Sequence, residues 1–454
     1  MEREKFKHLK YPVYESYLVP VLSWDEINDE IIKKYDVPKE YLDKHEKTEI
    51  DELTQNQTDK FGKVTKDDLE NTLKYLFDSY KEFLYFSFRD GKIKAKYHIY
   101  NRDSVNEWYK NLSPIEGNNF NDFFRIAKSK VKGLTLEFSE PKKWYANNCI
   151  VRMENWGDKY GMPNSYLVEI LEIFEYCMSK YNLPDCDFIL NRKDFALLTS
   201  DNSNAYYSLY PKAELNKQPK ICFPTLSQSG RKQTLDIIIP TSDEWKHLSN
   251  LHKMKINTVW TTKKDIGVWR GSTTGCGTTK ENNPRIKLAY VSDKLKKDGY
   301  GKLDIGLTQF TKGFRVNDGI IDFVNLQKIN LPKYNFITFE EQSNYKYIFN
   351  IEGNTAAYRF SSLFSMNSVV INIKSKFKLW FEPLLEKNKH YISLSYDFDE
   401  HLLKKTIDYL NETNDVAKYI ADNGKQFCDK YITKDVIAEY WLKIMIGINK
   451  KQIK

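Results

Sequence analysis

The second half of the chain repeats one local pattern: a short unbroken apolar run, a turn rich in glycine, asparagine and small hydroxyl residues, then a segment with helical spacing. IGVW (266–269) leads into a Gly/Thr-rich loop and an apolar stretch from Ile286; YKYIFNI (345–351) leads into Glu352-Gly353-Asn354 and the segment TAAYRFSSLFSM; SVVINI (368–373) and HYISLS (390–395) follow. Unbroken apolar runs of this length suit strands covered on both faces, and their alternation with helices specifies an α/β fold with a parallel sheet. Three helical segments, 399–410, 415–430 and 433–449, close the chain.

The same pattern starts upstream. In NSYLVEILEIFEYCMSKYNLP the residues Leu167, Ile170, Leu171, Phe174 and Met178 share one helical face, with a cap at Asn164 or Ser165 and a stop at Pro184. A buried strand, Phe188 to Leu190, then ends in Asn191-Arg192-Lys193-Asp194, polar groups at the end of a strand where open α/β sheets carry ligands. FLYFSFR and KIKAKYHIY, joined by Asp90-Gly91, read as a hairpin. Residues 1–82 are charged, and Thr65-x-x-Asp68 forms a capping box for a helix through Leu69, Leu73, Leu76 and Phe77. The predicted organisation is an N-terminal extension (1–82), a domain over 83–255 with a Rossmann-like part from about 164, a second Rossmann-like domain over 256–430, and a C-terminal helix over 431–454.

A chain of 454 residues can form two or three domains with a cleft between them. The 70 basic and 62 acidic residues are spread evenly, and the net charge of +8 includes no basic block, which argues against nucleic acid. No apolar run reaches the roughly 18 to 20 residues of a membrane span. The six cysteines are scattered without a CxxC pair, which argues against a zinc site or a disulfide scaffold.

The stretch VWRGSTTGCGTTKENNPRIKLA (268–289) suits an anion, but it is not a Walker loop, because Gly277 is followed by Thr278 and not by lysine. Arg270, Ser272 and Arg285 offer donors to a diphosphate; the alternative is a polar surface loop with solvated arginines. A second anion-suited turn is Glu352 to Ala357, where a strand gives way to the start of a predicted helix and Arg359 follows one turn later. Asp194 is either a general base at a strand end or an ordinary cap or ion-paired acid beside Arg192 and Lys193. Asp185-x-Asp187 and Asp397-x-Asp399 match a metal-binding DxD pattern, yet the first precedes its strand and the second reads as a capped helix start, so neither is expected to hold metal. His390 lacks a second ligand at metal spacing, and no nucleophile motif occurs.

Taken in order, Trp269-Arg270-Gly271-Ser272, Pro284-Arg285, Asp304, the run 340–371, WFEPLL (380–385), His390-Tyr391 and NDVAKYIADNGKQF (414–427) resemble the CAP10-like glycosyltransferases, family 90, which include Rumi-like protein O-glucosyltransferases and capsule xylosyltransferases. The resemblance is strong from about 185 to 430. It implies a GT-B fold, two facing Rossmann-like domains in which 83–255 serves the acceptor and 256–430 holds the UDP-sugar. It makes Asp194 the catalytic base, although Lys193 here separates Arg192 from the Asp where the family usually has Arg directly before it. Arg285 and Arg359 are implied to clamp the diphosphate, assisted by Ser272 and the backbone of Thr355, Ala356 and Ala357. Gln342 and Tyr345 fall near the nucleotide, with core and strand packing as their alternative, and Arg270, Gly271, Asp304 and Asn354 complete the implied donor site. The implied activity is an inverting, metal-independent transfer of xylose or glucose from a UDP-sugar to a protein or glycan hydroxyl; the alternative is a catalytically silent, lectin-like or UDP-binding relative. The expected partners are a UDP-sugar and a protein or glycan, with no nucleic acid and no membrane span. MEREKFKHLKYP carries no secretory signal and KKQIK no retention signal, so a cytoplasmic or virus-factory-like compartment is expected.

Overall fold

The computed structural model describes residues 48–80, 82–100, 143–146, 149–152, 165–200, 218–275, 277–311, 314–317 and 320–453. Most of the charged N-terminal segment (1–47), the alternative cap Asn164, and Cys276 lie outside them.

Helices α1 (Glu49–Thr58) and α2 (Lys66–Tyr80) come first, and the predicted box forms as Thr65 and Asp68 exchange hydrogen bonds ahead of α2. Strands β1 (Glu82–Arg89) and β2 (Lys92–Tyr100) make the predicted hairpin. Asp90 and Gly91 have φ of 53° and 69°, the left-handed pair that matches a two-residue turn to the strand twist. A small separate hairpin is formed by β3 (Lys143–Ala146) and β4 (Cys149–Arg152). Helix α3 (Ser165–Lys180) leads to β5 (Cys186–Leu190), which pairs antiparallel with β1 and parallel with β6 (Thr225–Ser227); β7 (Ile237–Ile238) extends the sheet, and α4 (Ser242–Asn250) follows it.

The predicted face of α3 is slightly rotated. Ile170, Ile173, Phe174 and Cys177 are the buried set, while Leu171 and Met178 are half-buried at its flank. Phe174 sets this angle by packing on Phe86, Phe88, Phe188 and Trp441.

The second sheet is wholly parallel, in the order β14-β13-β12-β8-β9. Its elements are β8 (Lys264–Ser272), α5 (Pro284–Lys297), β9 (Leu303–Gln309), a β10 (Phe314–Asn317) and β11 (Ile320–Phe323) hairpin, α6 (Phe339–Gln342), β12 (Tyr345–Asn350), α7 (Phe360–Leu363), β13 (Val369–Ile373) and β14 (Ile392–Leu394). Every residue of β13 and all but the first of β12 are buried, which is why those runs lack polar alternation. Helices α8 (Glu400–Glu412) and α9 (Asn414–Tyr431) complete this domain. Two α/β domains thus face each other across a cleft, the GT-B arrangement. Among the described residues no helix is long and apolar enough to cross a membrane.

The last helix, α10 (Lys434–Lys451), returns to the first domain. Tyr440 donates to Ile238 O (2.6 Å), Trp441 packs on Phe174, and Asn449 Nδ2 donates to Asp185 O (2.5 Å). A further tie spans the cleft: Gly230 and Lys378 exchange backbone hydrogen bonds, and the buried Trp380 indole donates to Glu244 Oε2 (2.9 Å) while packing on Tyr440.

Candidate active site

Between the domains lies a cavity of about 550 Å³. Its first-domain wall carries Asp194, Asp243 and His247; its second-domain wall carries Arg285, Arg359 and the loop 354–358.

Asp194 follows β5 in a bend wound around the buried Asn191, whose Nδ2 donates to Ser227 Oγ (2.9 Å) and Phe195 O (2.5 Å) and whose Oδ1 accepts from the Lys193 amide (2.8 Å). Asp194 caps no helix. Its own carbonyl accepts from Ser229 Oγ (2.6 Å) and from the Tyr358 hydroxyl (3.1 Å), so both domains hold its backbone and the side chain is left to the cavity. Asp194 is exposed at the cavity, where the walls around its carboxylate displace part of its hydration. That desolvation raises its pKa, and the positive charge of Lys193 pulls in the opposite direction.

The arginine wall depends on Asn283. This residue caps α5 by accepting from the Arg285 and Ile286 amides, and its Nδ2 donates to Thr273 O and Gly277 O, pinning the Gly/Thr loop against the helix start. Arg285 then reaches Thr274 Oγ1 (2.6 Å) and Glu352 O (2.7 Å). Arg359 donates to Arg270 O (3.2 Å). Among the described residues neither guanidinium has an ion-pair partner. Burial, then repulsion from Arg359, lowers Arg285 to about 9; burial lowers Arg359 to about 10. Two desolvated cations side by side call for an anion.

The predicted helix start at Thr355 is not there. Residues 351–359 form an irregular loop, in which the Gly353 amide donates to Thr355 O (2.9 Å), and helix begins only at Phe360. Tyr358 and Arg359 reach to opposite walls of the cleft, to Asp194 and Arg270, and these ties hold the segment out of helical geometry. No helix dipole therefore aids the anion here, although Asn354, Thr355, Ala356 and Ala357 do line the cavity. A Cβ on Gly353 would stand 2.9 Å from Arg285 Nη2, so the glycine leaves the guanidinium its present position.

Other predicted donor-site residues lie behind the wall. Arg270 and Gly271 border the cavity, but the Arg270 guanidinium is paired with Asp304 (2.6 Å) and covers Tyr334; Tyr345 donates to the second Asp304 oxygen (2.9 Å). Ser272 sits 3.0 Å from Thr274 Oγ1, and Thr274 takes its place at the cavity. Gln342 is buried and donates to Ile337 O and Thr338 O, a packing role. Asp187 is locked in a buried bidentate pair with Arg89, Asp399 caps α8, and His390 Nδ1 accepts from the Glu386 amide (2.9 Å). No group of three His, Cys, Asp or Glu residues is gathered for a metal among the described residues.

Asp243 and His247 were not anticipated. The signal was present: DIIIPTSDEW repeats the strand, turn and helix pattern, and Thr241 and Glu244 form a capping box that sets α4 with Asp243 at the cleft. His247 lies on Phe339 with ring centroids 4.8 Å apart, and burial lowers it to about 4.

Uncharacterized protein 179R of Invertebrate iridescent virus 6 is 25% identical over 441 residues, covering 83% of this chain and 37% of the viral protein. A second viral relative, 035R of Invertebrate iridescent virus 3, is 27% identical over 84% of this chain and 36% of its own, so the chain spans little more than a third of either. Human protein O-glucosyltransferase 1 is 23% identical over 75% of this chain and 78% of its own length. Among solved structures, Anabaena HepE in complex with UDP-glucose aligns with a TM-score of 0.29 at 10% identity, over 50% of this chain and 65% of that one. The model of glycosyl transferase family 90 matches residues 163–452, well over half of the sequence, and the chain belongs to that family.

Proposed function

We propose that the protein transfers a sugar, xylose or glucose, from a UDP-sugar to a hydroxyl of a protein or glycan, with inversion and without metal. One observation carries this reading: Arg285 and Arg359, half-buried and without an ion-pair partner among the described residues, face Asp194 across a single cavity. The diphosphate sits on the two guanidiniums and Thr274. The acceptor oxygen attacks the anomeric carbon from the first-domain side. Its proton passes to the Asp194 carboxylate as the new C–O bond forms, the bond to the β-phosphate oxygen breaks, and UDP leaves with the electron pair. These half-buried cations stabilise the charge that develops on the β-phosphate, a contribution of about 3–4 kcal/mol for one well-aimed donor in other enzymes.

UDP release from a panel of UDP-sugars tests the reading. Asp194→Asn is expected to lower kcat by about 10²- to 10⁴-fold with UDP binding retained. EDTA is expected to leave the rate unchanged. Wild-type rates carried by Asp194→Asn would remove the base from the scheme, and loss of activity in EDTA would remove its metal independence. The extra Lys193 before the Asp favours a second reading, a silent UDP-binding relative. A wild-type protein that binds UDP yet turns over no donor, with any acceptor offered, selects it.

A further inference from the structure

Resting on that reading, we infer that Asp243, His247 and Phe339 form an acceptor subsite for a neutral sugar ring, so that the acceptor is a glycan. Asp243 and His247 are four residues apart on α4, hence on one face, and both line the cavity. Phe339 lines it beside them, its ring against that of His247. A carboxylate accepts hydrogen bonds and donates none; Asp243 is exposed in the cavity and receives none from the described residues, so both of its oxygens are open to the hydroxyls of an occupant. His247 Nε2 lies 3.5 Å from Ser365 Oγ, so the ring has Nδ1 to donate to or accept from an occupant. Phe339 is half-buried, and the part of its ring left open to the cavity offers an apolar patch for the C–H face of a pyranose. Together these groups match a ring bearing several hydroxyls in fixed geometry.

Position separates this subsite from the donor's. Asp243 and His247 stand on the wall of Asp194, while the diphosphate groups belong to the opposite wall. A serine side chain presents one hydroxyl, which Asp194 alone engages, leaving Asp243 and His247 without a role. Arg285 and Arg359 draw anions to the opposite wall, while Asp194 and Asp243 place two carboxylates on this one, which favours an uncharged ring over an anionic one at the subsite.

The test measures UDP release with UDP-xylose or UDP-glucose, using neutral p-nitrophenyl glycosides, p-nitrophenyl glucuronide and a serine peptide as acceptors. Wild-type protein is expected to prefer a neutral glycoside over the peptide, and over the glucuronide by at least about tenfold. Asp243→Asn and His247→Ala are each expected to raise the glycoside KM by about tenfold or more, the loss of one hydrogen bond to a charged or polar partner. Asp243→Asn should also narrow the gap between glucuronide and glycoside, while UDP Kd in a thermal-shift titration moves less than about twofold in both variants. Preference for the peptide, unchanged glycoside KM in both variants, or a UDP Kd that weakens in step with KM would each overturn the subsite. Wild-type protein that neither binds UDP nor releases it would instead overturn the donor reading beneath it.

Discussion

At the scale of single residues, the cavity holds charges the empty protein would be better without. Arg359 is desolvated and holds one backbone carbonyl, where a guanidinium carries five donors. Arg359→Met keeps the bulk and removes the half-buried cation. The variant is expected to melt no lower than wild type without ligand, while losing about 1.5–3 kcal/mol of UDP affinity, read as a roughly 10- to 100-fold rise in Kd. Thermal-shift curves with and without UDP check both halves, and a lower melting point in the empty variant would show that Arg359 is structural. Arg285 and Arg359 were legible in the sequence because an arginine next to a polar turn at a strand end is a local signature. Asp304, Tyr345 and Gln342 were not separable in the same way. Their place one layer behind the cavity depends on which neighbour takes each polar group, and Arg270 pairs with Asp304 through a strand contact 34 residues away.

At the scale of elements, the loop between β5 and the cavity carries the pH dependence. As the proposed base, Asp194 works only when ionised, and partial desolvation raises its pKa, so kcat/KM should fall as pH drops through a value above that of an ordinary aspartate. Lys193 holds that value down. Lys193→Gln is therefore expected to move the acid limb of the pH profile to higher pH, with the plateau at alkaline pH retained; a limb that stays in place or moves down would separate Lys193 from the base. The strand and helix order was readable from apolar runs and turn residues, and the hairpin at Asp90-Gly91 and the box at Thr65 follow their local codes. The segment after Glu352 was misread as helix because its spacing is helical and its restraints are not local. Tyr358 and Arg359 answer to residues 164 and 89 positions away.

At the scale of the molecule, segment 375–384 fastens the second domain onto the first. Trp380 is wholly buried and gives Glu244 an indole donor, and Glu244 lies next to Asp243 on α4. Trp380→Phe leaves a buried carboxylate oxygen without that donor and is expected to destabilise by about 1–3 kcal/mol. Trp380→Ala adds a cavity and should cost about 3–5 kcal/mol, both measured by urea unfolding. An Ala variant as stable as wild type would show that the tie is dispensable. The terminal helix was visible as a helix but not as part of the first domain, because nothing in its local pattern names a partner nearly four hundred residues upstream. Lys443 bonds Thr48 and Lys63 bonds Lys450 O. This closure also joins the two cores: Trp380, Phe364 and Phe427 of the second domain pack in one cluster with Phe174, Ile238 and Trp441 of the first and its returning helix. A chain cut before α10 therefore loses packing on both sides of the cleft at once, and the walls of the cavity cannot be made independently of the last helix.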